Sequence, residues 1–232
     1  MIEKEKTDTD YSMTILKIVG HRGELVPNTF FHQNGDAEHV AILFPGIGYT
    51  CQMPLLYYQT KLFLSLGSDV LWVEYAYNRR PDFQSLPDCE QKNWFYADVR
   101  GSCKAGLEQR AYLKVTFSGK SLGTLALVHL LTSEPALSSH AQAVWLTPLL
   151  KDEKLRTEIR KARQRSLLVI GTKDAHYDAA SLEELKNLPH MATVVLEGAD
   201  HSLEVEDNVS NSIRLMDQVI QEIKRFVEPN GH

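Results

Sequence analysis

Residues 113–131 read LKVTFSGKSLGTLALVHLL, and the fold is decided in this stretch. Leu113 to Phe117 has the length and the β-branched and aromatic content of a buried strand. Leu122 to Leu131 carries an apolar helix pattern. Between them stands Gly119-Lys120-Ser121-Leu122-Gly123. A strand that enters a helix this abruptly must turn sharply, and side chains in place of the flanking glycines would collide with neighbouring backbone. Such a turn lifts the Ser121 hydroxyl clear of the sheet, with the helix N-terminus beneath it. The G-x-S-x-G pattern alone is weak. With each fixed residue at about 7% background, a chain of this length shows one by chance roughly one time in ten. The strand before it and the helix after it give the pattern its weight. A phosphate-binding P-loop is the rival reading of Gly119-Lys120-Ser121. It requires a glycine five positions before Gly119, where this chain has Lys114.

Working outward, short apolar runs recur at Val40 to Phe44, Val70 to Val73, Ala143 to Leu146, Leu167 to Ile170 and Thr193 to Leu196. Their apolarity is continuous rather than alternating, which predicts strands covered on both faces. Met13 to Val19 and Leu25 to Phe31 read as two earlier strands, with a turn at Asn34-Gly35. Helical periodicity fills the gaps. Phe95, Val99, Cys103 and Leu107 repeat every four residues, and Val209, Ile213, Met216, Ile220, Ile223 and Val227 mark one face of a long amphipathic helix. Six strand-then-helix units in succession predict an α/β fold, with a doubly wound, mostly parallel sheet of about eight strands and helices on both faces. Residues 11–228 are expected to form one domain, with flexible tails at 1–10 and 229–232. Ligands of such a sheet bind at the loops leaving the carboxyl ends of its strands.

Composition excludes several function classes. The apolar fraction is 43%, the charged fraction 24% and the net charge −5, so general binding to nucleic acid or to an anionic membrane is not expected. No apolar run approaches the roughly 18 residues of a membrane span. The charged start MIEKEKTDTD lacks the apolar segment of a signal peptide. Cys51, Cys89 and Cys103 are odd in number and lie in no metal-ligand spacing, which suits a reducing compartment. A cytoplasmic location is the expectation.

A serine hydroxyl is a poor nucleophile at neutral pH and needs a general base oriented by a carboxylate. Both stand at later strand ends. Leu167 to Ile170 runs into Gly171-Thr172-Lys173-Asp174, and Thr193 to Leu196 runs into Glu197-Gly198-Ala199-Asp200-His201. The chain order Ser121, Asp174, His201 separates this arrangement from chymotrypsin-like and subtilisin-like proteases. On the turn Gly119 to Gly123, the Gly171-x-x-Asp174 and Gly198-x-x-His201 segments and the loop Pro45-Gly46-Ile47-Gly48, the chain resembles the α/β-hydrolase superfamily. The resemblance runs from about Met13 to Val227. In compactness it is similar to dienelactone-hydrolase-like and small carboxylesterase-like members with a minimal cap or none.

The resemblance implies a serine hydrolase acting on a carboxylic ester or thioester of a small acyl substrate, with Ser121, Asp174 and His201 as the catalytic triad; the alternatives are a non-catalytic interaction module on the same scaffold, or a peptidase or acyltransferase using the same triad. Relatives usually begin the loop after the first parallel strand with His-Gly, where this chain has Pro45-Gly46. Its oxyanion donors are then the backbone N–H groups of Ile47, with Gly48 as its alternate, and Leu122. Gly48, Tyr49, Arg79 and Lys120 are candidate substrate contacts. Lys120 departs from the His, Asp or aromatic residue often found before the nucleophile. No metal or organic cofactor is implied, and the partner is a small molecule rather than a nucleic acid or a membrane.

Other residues near these loops have plainer readings. Asp178 and Asp200 compete with Asp174 for the orienting role, and His176 reads as a loop residue. Arg79 and Arg80 read first as a solvated loop, Trp94 and Phe95 as core, and Cys51 as a buried structural thiol. Lys151 to Arg165 is highly charged, with a narrow stripe of Leu155, Ile159 and Ala162, and predicts one surface crossover helix.

Overall fold

The computed structural model describes residues 10–133 and 140–228. Eight strands join one sheet: β1 (Tyr11–Thr14), β2 (Asn28–Gln33), β3 (His39–Phe44), β4 (Asp69–Val73), β5 (Lys114–Lys120), β6 (Ala141–Leu146), β7 (Ser166–Gly171) and β8 (Met191–Leu196). Their order is β1-β2-β4-β3-β5-β6-β7-β8; β2 pairs antiparallel with both β1 and β4, and β4, β3, β5, β6, β7 and β8 pair parallel. The crossovers carry α1 (Pro54–Ser65), α2 (Pro81–Gln84), α3 (Asp88–Leu107), α4 (Leu122–Ser133), α5 (Glu153–Lys161), α6 (Ala179–Lys186) and α7 (Val209–Val227). This is the doubly wound, mostly parallel α/β sheet that the alternating runs predict.

Alternate residues of β3 face two separate cores. Val40, Ile42 and Phe44 pack with residues of α3 to α6, whereas Ala41 and Leu43 pack with α1 and α7, and all five are fully buried. A central strand sealed on both faces is why its sequence shows no alternation. β8 is an edge strand, and its middle residues are only half-buried or exposed.

The first two strands differ from expectation. β1 ends at Thr14, and beyond it only a single bridge joins Val19 to Leu25. The Asn28 side chain accepts from Leu16 N–H and donates to Leu16 O, both at 2.9 Å, drawing the chain away from the sheet edge. β2 starts at Asn28 because Pro27 has no N–H to give a ladder. β5 runs three residues past Phe117, so Gly119 and Lys120 are still paired with β6 and the turn falls wholly at Ser121.

Residues 151–165 form the crossover expected of them. Asp152 caps α5 by accepting from Leu155 N–H, and Leu155, Ile159 and Ala162 are buried against the core beside α4. Trp94, Phe95 and Cys51 are buried, as read from the sequence. The tail residues 1–9 and 229–232 lie outside the described residues. Among the described residues no helix is long and apolar enough to cross a membrane.

Candidate active site

Ser121 follows the last residue of β5 and has φ 51, in the left-handed region that L-residues other than Asn and Asp rarely occupy. Its N–H donates to Leu146 O of β6, and its carbonyl accepts from both the N–H and the hydroxyl of Thr124 in the first turn of α4. Those bonds fix the strained turn. The flanking glycines make it sterically feasible. A Cβ on Gly119 would lie 2.4 Å from Gly123 O, and one on Gly123 would lie 2.0 Å from Phe44 O. The serine side chain stands at the helix N-terminus, where backbone N–H groups lack intrahelical partners.

The loop after β3 passes beside it. A Cβ on Gly46 would come within 3.2 Å of Ser121 Cβ. Tyr49 N–H donates to Gly46 O across a turn in which Gly48 has φ 73 and Ile47 a negative φ, the signature of type II. Ile47 and Gly48 are exposed at its tip. From below, the buried Tyr75 hydroxyl donates to Pro45 O at 2.9 Å.

On the other side of Ser121, the loops after β7 and β8 are locked together. Lys173 N–H donates to Ala199 O, and Gly198 N–H donates to the Thr172 hydroxyl, both at 2.9 Å. Gly171 permits this approach, since a Cβ there would sit 2.1 Å from Ala199 O. The contact brings His201 Nδ1 to 2.8 Å from Asp174 Oδ2, whose side chain is fully buried. Asp174 Oδ1 accepts from His176 N–H at 2.8 Å. A carboxylate accepting from Nδ1–H leaves Nε2 as the proton acceptor. Neither Nε2 nor Ser121 Oγ has a hydrogen-bond partner among the described residues.

The rival acids have other work. Asp178 caps α6 by accepting from Ser181 N–H, and the Ser181 hydroxyl together with that N–H holds its carboxyl below the usual range. Asp200 accepts from the N–H groups of Ser202 and Glu204 and braces its own loop. Arg80 pairs with Glu24 and Asp82 and lies over Trp94, whereas Arg79 is exposed and has no ion pair among the described residues.

Two of the candidate substrate contacts have buried side chains, Lys120 being 1% exposed and Tyr49 7%. The Lys120 ammonium lies 4.5 Å from the Tyr49 ring centroid, and it donates to His201 O at 2.9 Å and to the Thr147 hydroxyl at 3.2 Å. Burial lowers its pKa to about 8, despite the opposing pull of Asp174 and Asp200. The sequence carries no local signal for Thr147, whose φ is 45, and His176, expected as a loop residue, lies in the loop after β7 with its ring edge-on to that of His201 at 5.4 Å.

A family model of the alpha/beta hydrolase domain matches residues 37–228. Among solved structures the chain is similar to a dienelactone hydrolase from Anabaena variabilis. Identity there is 15% and the TM-score 0.68, over 94% of this chain and 97% of that one. It is similar to an α/β serine hydrolase without a lid from Xanthomonas campestris, at 14% identity and TM-score 0.66 over 95% of each chain. An esterase from Pyrococcus furiosus is 12% identical with TM-score 0.69, over 96% of this chain and 94% of that one. At such identities the likeness is one of fold. No curated protein matches the chain.

Proposed function

Because the chain belongs to the α/β-hydrolase family, we propose that it is a serine hydrolase that cleaves a carboxylic ester or thioester of a small acyl group. Ser121 is the nucleophile, His201 the general base and Asp174 the carboxylate that orients it. The observation that carries this reading is the 2.8 Å bond from His201 to the buried Asp174, on loops flanking a serine held at φ 51. Catalytic hydrogen bonds are often unmade in the free enzyme and tighten once substrate binds, which accommodates the unpartnered Ser121 hydroxyl.

In this mechanism Ser121 Oγ attacks the carbonyl carbon as its proton passes to His201 Nε2. The carbonyl oxygen becomes an oxyanion, stabilised by the N–H groups of Leu122 and Ile47, with Gly48 able to replace the latter. The bond to the leaving alcohol or thiol then breaks, and His201 returns the proton to it. Water attacks the resulting acyl-Ser121 as His201 takes its proton, and on collapse the acyl C–O bond breaks, His201 returns that proton to Ser121 Oγ and the carboxylic acid is released. Gly48 and Arg79 remain the substrate contacts in this reading, both being exposed near the loop after β3.

The test is labelling with a fluorophosphonate, followed by mapping of the adduct. Label is expected on Ser121, and Ser121→Ala should lose several orders of magnitude in turnover of an activated ester. Retention of more than about a tenth of wild-type turnover would refute the nucleophile.

A further inference from the structure

The proposed mechanism leaves one buried titratable group without a role. Lys120 sits at the end of β5, next to Ser121, with its side chain 1% exposed. Burying a cation is costly, and an apolar side chain of equal length would fill the same space without that cost. The ammonium nevertheless reaches loops from three other strands. It meets the Tyr49 ring after β3, the Thr147 hydroxyl after β6 and the backbone carbonyl of His201 after β8.

The bond to His201 O has a geometric purpose. β5 and β8 are three steps apart in the sheet, about 14 Å at the usual inter-strand spacing. The His201 loop must therefore lean back across β7 and β6 to approach Ser121. Its remaining anchors pull elsewhere. Ala199, Gly198 and the imidazole itself are tied to the loop after β7, and Asp200 ties the loop to itself. No direct bond joins Ser121 to His201 among the described residues. The Lys120 side chain is what links the segment bearing the serine to the segment bearing the histidine.

We propose that Lys120 is a positioning residue. Its ammonium fastens the His201 loop to the strand end that carries Ser121, and so sets the distance over which the serine proton moves. This rests on the reading of Ser121, His201 and Asp174 given above. The same cation props the Tyr49 ring, so the loop bearing Ile47 shares the anchor. The bond is charge-assisted while the ammonium keeps its proton, and it weakens to a neutral amine contact as pH rises past about 8. The titratable groups facing it are the Asp174 and Asp200 carboxyls, the His201 imidazole, and Tyr49, whose hydroxyl burial raises to about 12.

The experiment compares wild type, Lys120→Met and Ser121→Ala in two assays between pH 7 and 10. One is steady-state hydrolysis of an activated acetate ester, and the other is the rate constant for fluorophosphonate labelling. At pH 7, Lys120→Met is expected to lower kcat and the labelling rate by about 10- to 100-fold with KM changed less than about twofold, because alignment rather than binding is lost. Wild type should lose rate above about pH 8, where the residual activity of Lys120→Met stays level. Rates within twofold of wild type, or an alkaline loss shared by both proteins, would overturn the assignment. Should Lys120→Met not fold, wild type alone decides, since a level rate from pH 7 to 10 excludes a charge-assisted anchor. Failure of the underlying reading looks different. In that case Ser121→Ala keeps its activity or the probe labels another residue, whatever Lys120 does.

Discussion

Replacing Lys120 with methionine should change how stability depends on pH, by an amount the structure sets. The pKa of Lys120 falls from 10.5 to about 8 on folding. At about 1.36 kcal/mol per pKa unit, keeping this ammonium charged costs the folded protein about 3 kcal/mol at neutral pH. Between pH 8 and 10.5 the unfolded chain binds this proton and the folded chain does not. Stability therefore rises with pH across that window and the penalty is fully present below it. Integrating the two titrations leaves a penalty of about 0.8 kcal/mol at pH 10, so about 2.5 kcal/mol is recovered between pH 7 and pH 10. Methionine has no proton to lose. Its packing and the loss of the bonds to His201 O and Thr147 add a constant offset, whereas every other titrating group cancels between the two proteins. Urea unfolding of both proteins at pH 7 and pH 10 measures the quantity directly. The stability of Lys120→Met relative to wild type should fall by about 2.5 kcal/mol over that interval. A change below about 0.5 kcal/mol would mean that the lysine is already neutral at pH 7 or still charged at pH 10, and the argument would fail. A cation kept at this cost, in a place where an apolar side chain would fit, is the usual trade of stability against activity.

Two other outcomes follow from the same loops. Asp174→Asn should depress turnover by about 10⁴-fold, because an amide can hold the wrong imidazole tautomer, whereas Asp178→Asn, which keeps an acceptor at the cap of α6, should leave turnover within about twofold; equal losses would reverse the assignment of the acid. Specificity constants for simple activated esters should peak at short acyl chains and flatten beyond about six carbons, since each methylene contributes about 0.8 kcal/mol only where it is buried; a chain-length series rising steadily to long acyl groups would expose an apolar channel that the exposed Ile47 and the outer-layer α5 give no sign of.

What the sequence made legible tracks how locally each feature is determined. The six parallel strands were readable because burial on both faces removes alternation, and the turn at Ser121 because strand, glycines and helix adjoin in the chain. Asp174 and His201 were readable only by their order after later strands, because each lies one short loop beyond a strand end. The ends of the first two strands were misjudged for lack of local signal. Apolar residues at Ile15 and Val19 resemble a strand, but both are exposed, and the Asn28 amide decides where the chain leaves the sheet.

Lys120 marks where such reading stops. By sequence it is a charged residue beside a candidate nucleophile at a strand end, and charged side chains are mostly exposed, so a substrate contact is the natural expectation. Its burial follows from three loops that are remote in the chain and meet only because the sheet order brings them over one strand end. Position within the turn adds a constraint that propensity does not express. Since Ser121 is held at φ 51 with its hydroxyl at the N-terminus of α4, the preceding side chain is left inside the molecule, among the loops that must agree on the geometry of the site. Gly171 acts in the same way at longer range. Its lack of a Cβ admits Ala199 O and so fixes the distance from Asp174 to His201, yet no neighbour in the chain reveals that contact. The candidate reactive groups are thus readable from strand ends, and the contacts that align them only from the order in which the sheet assembles those ends.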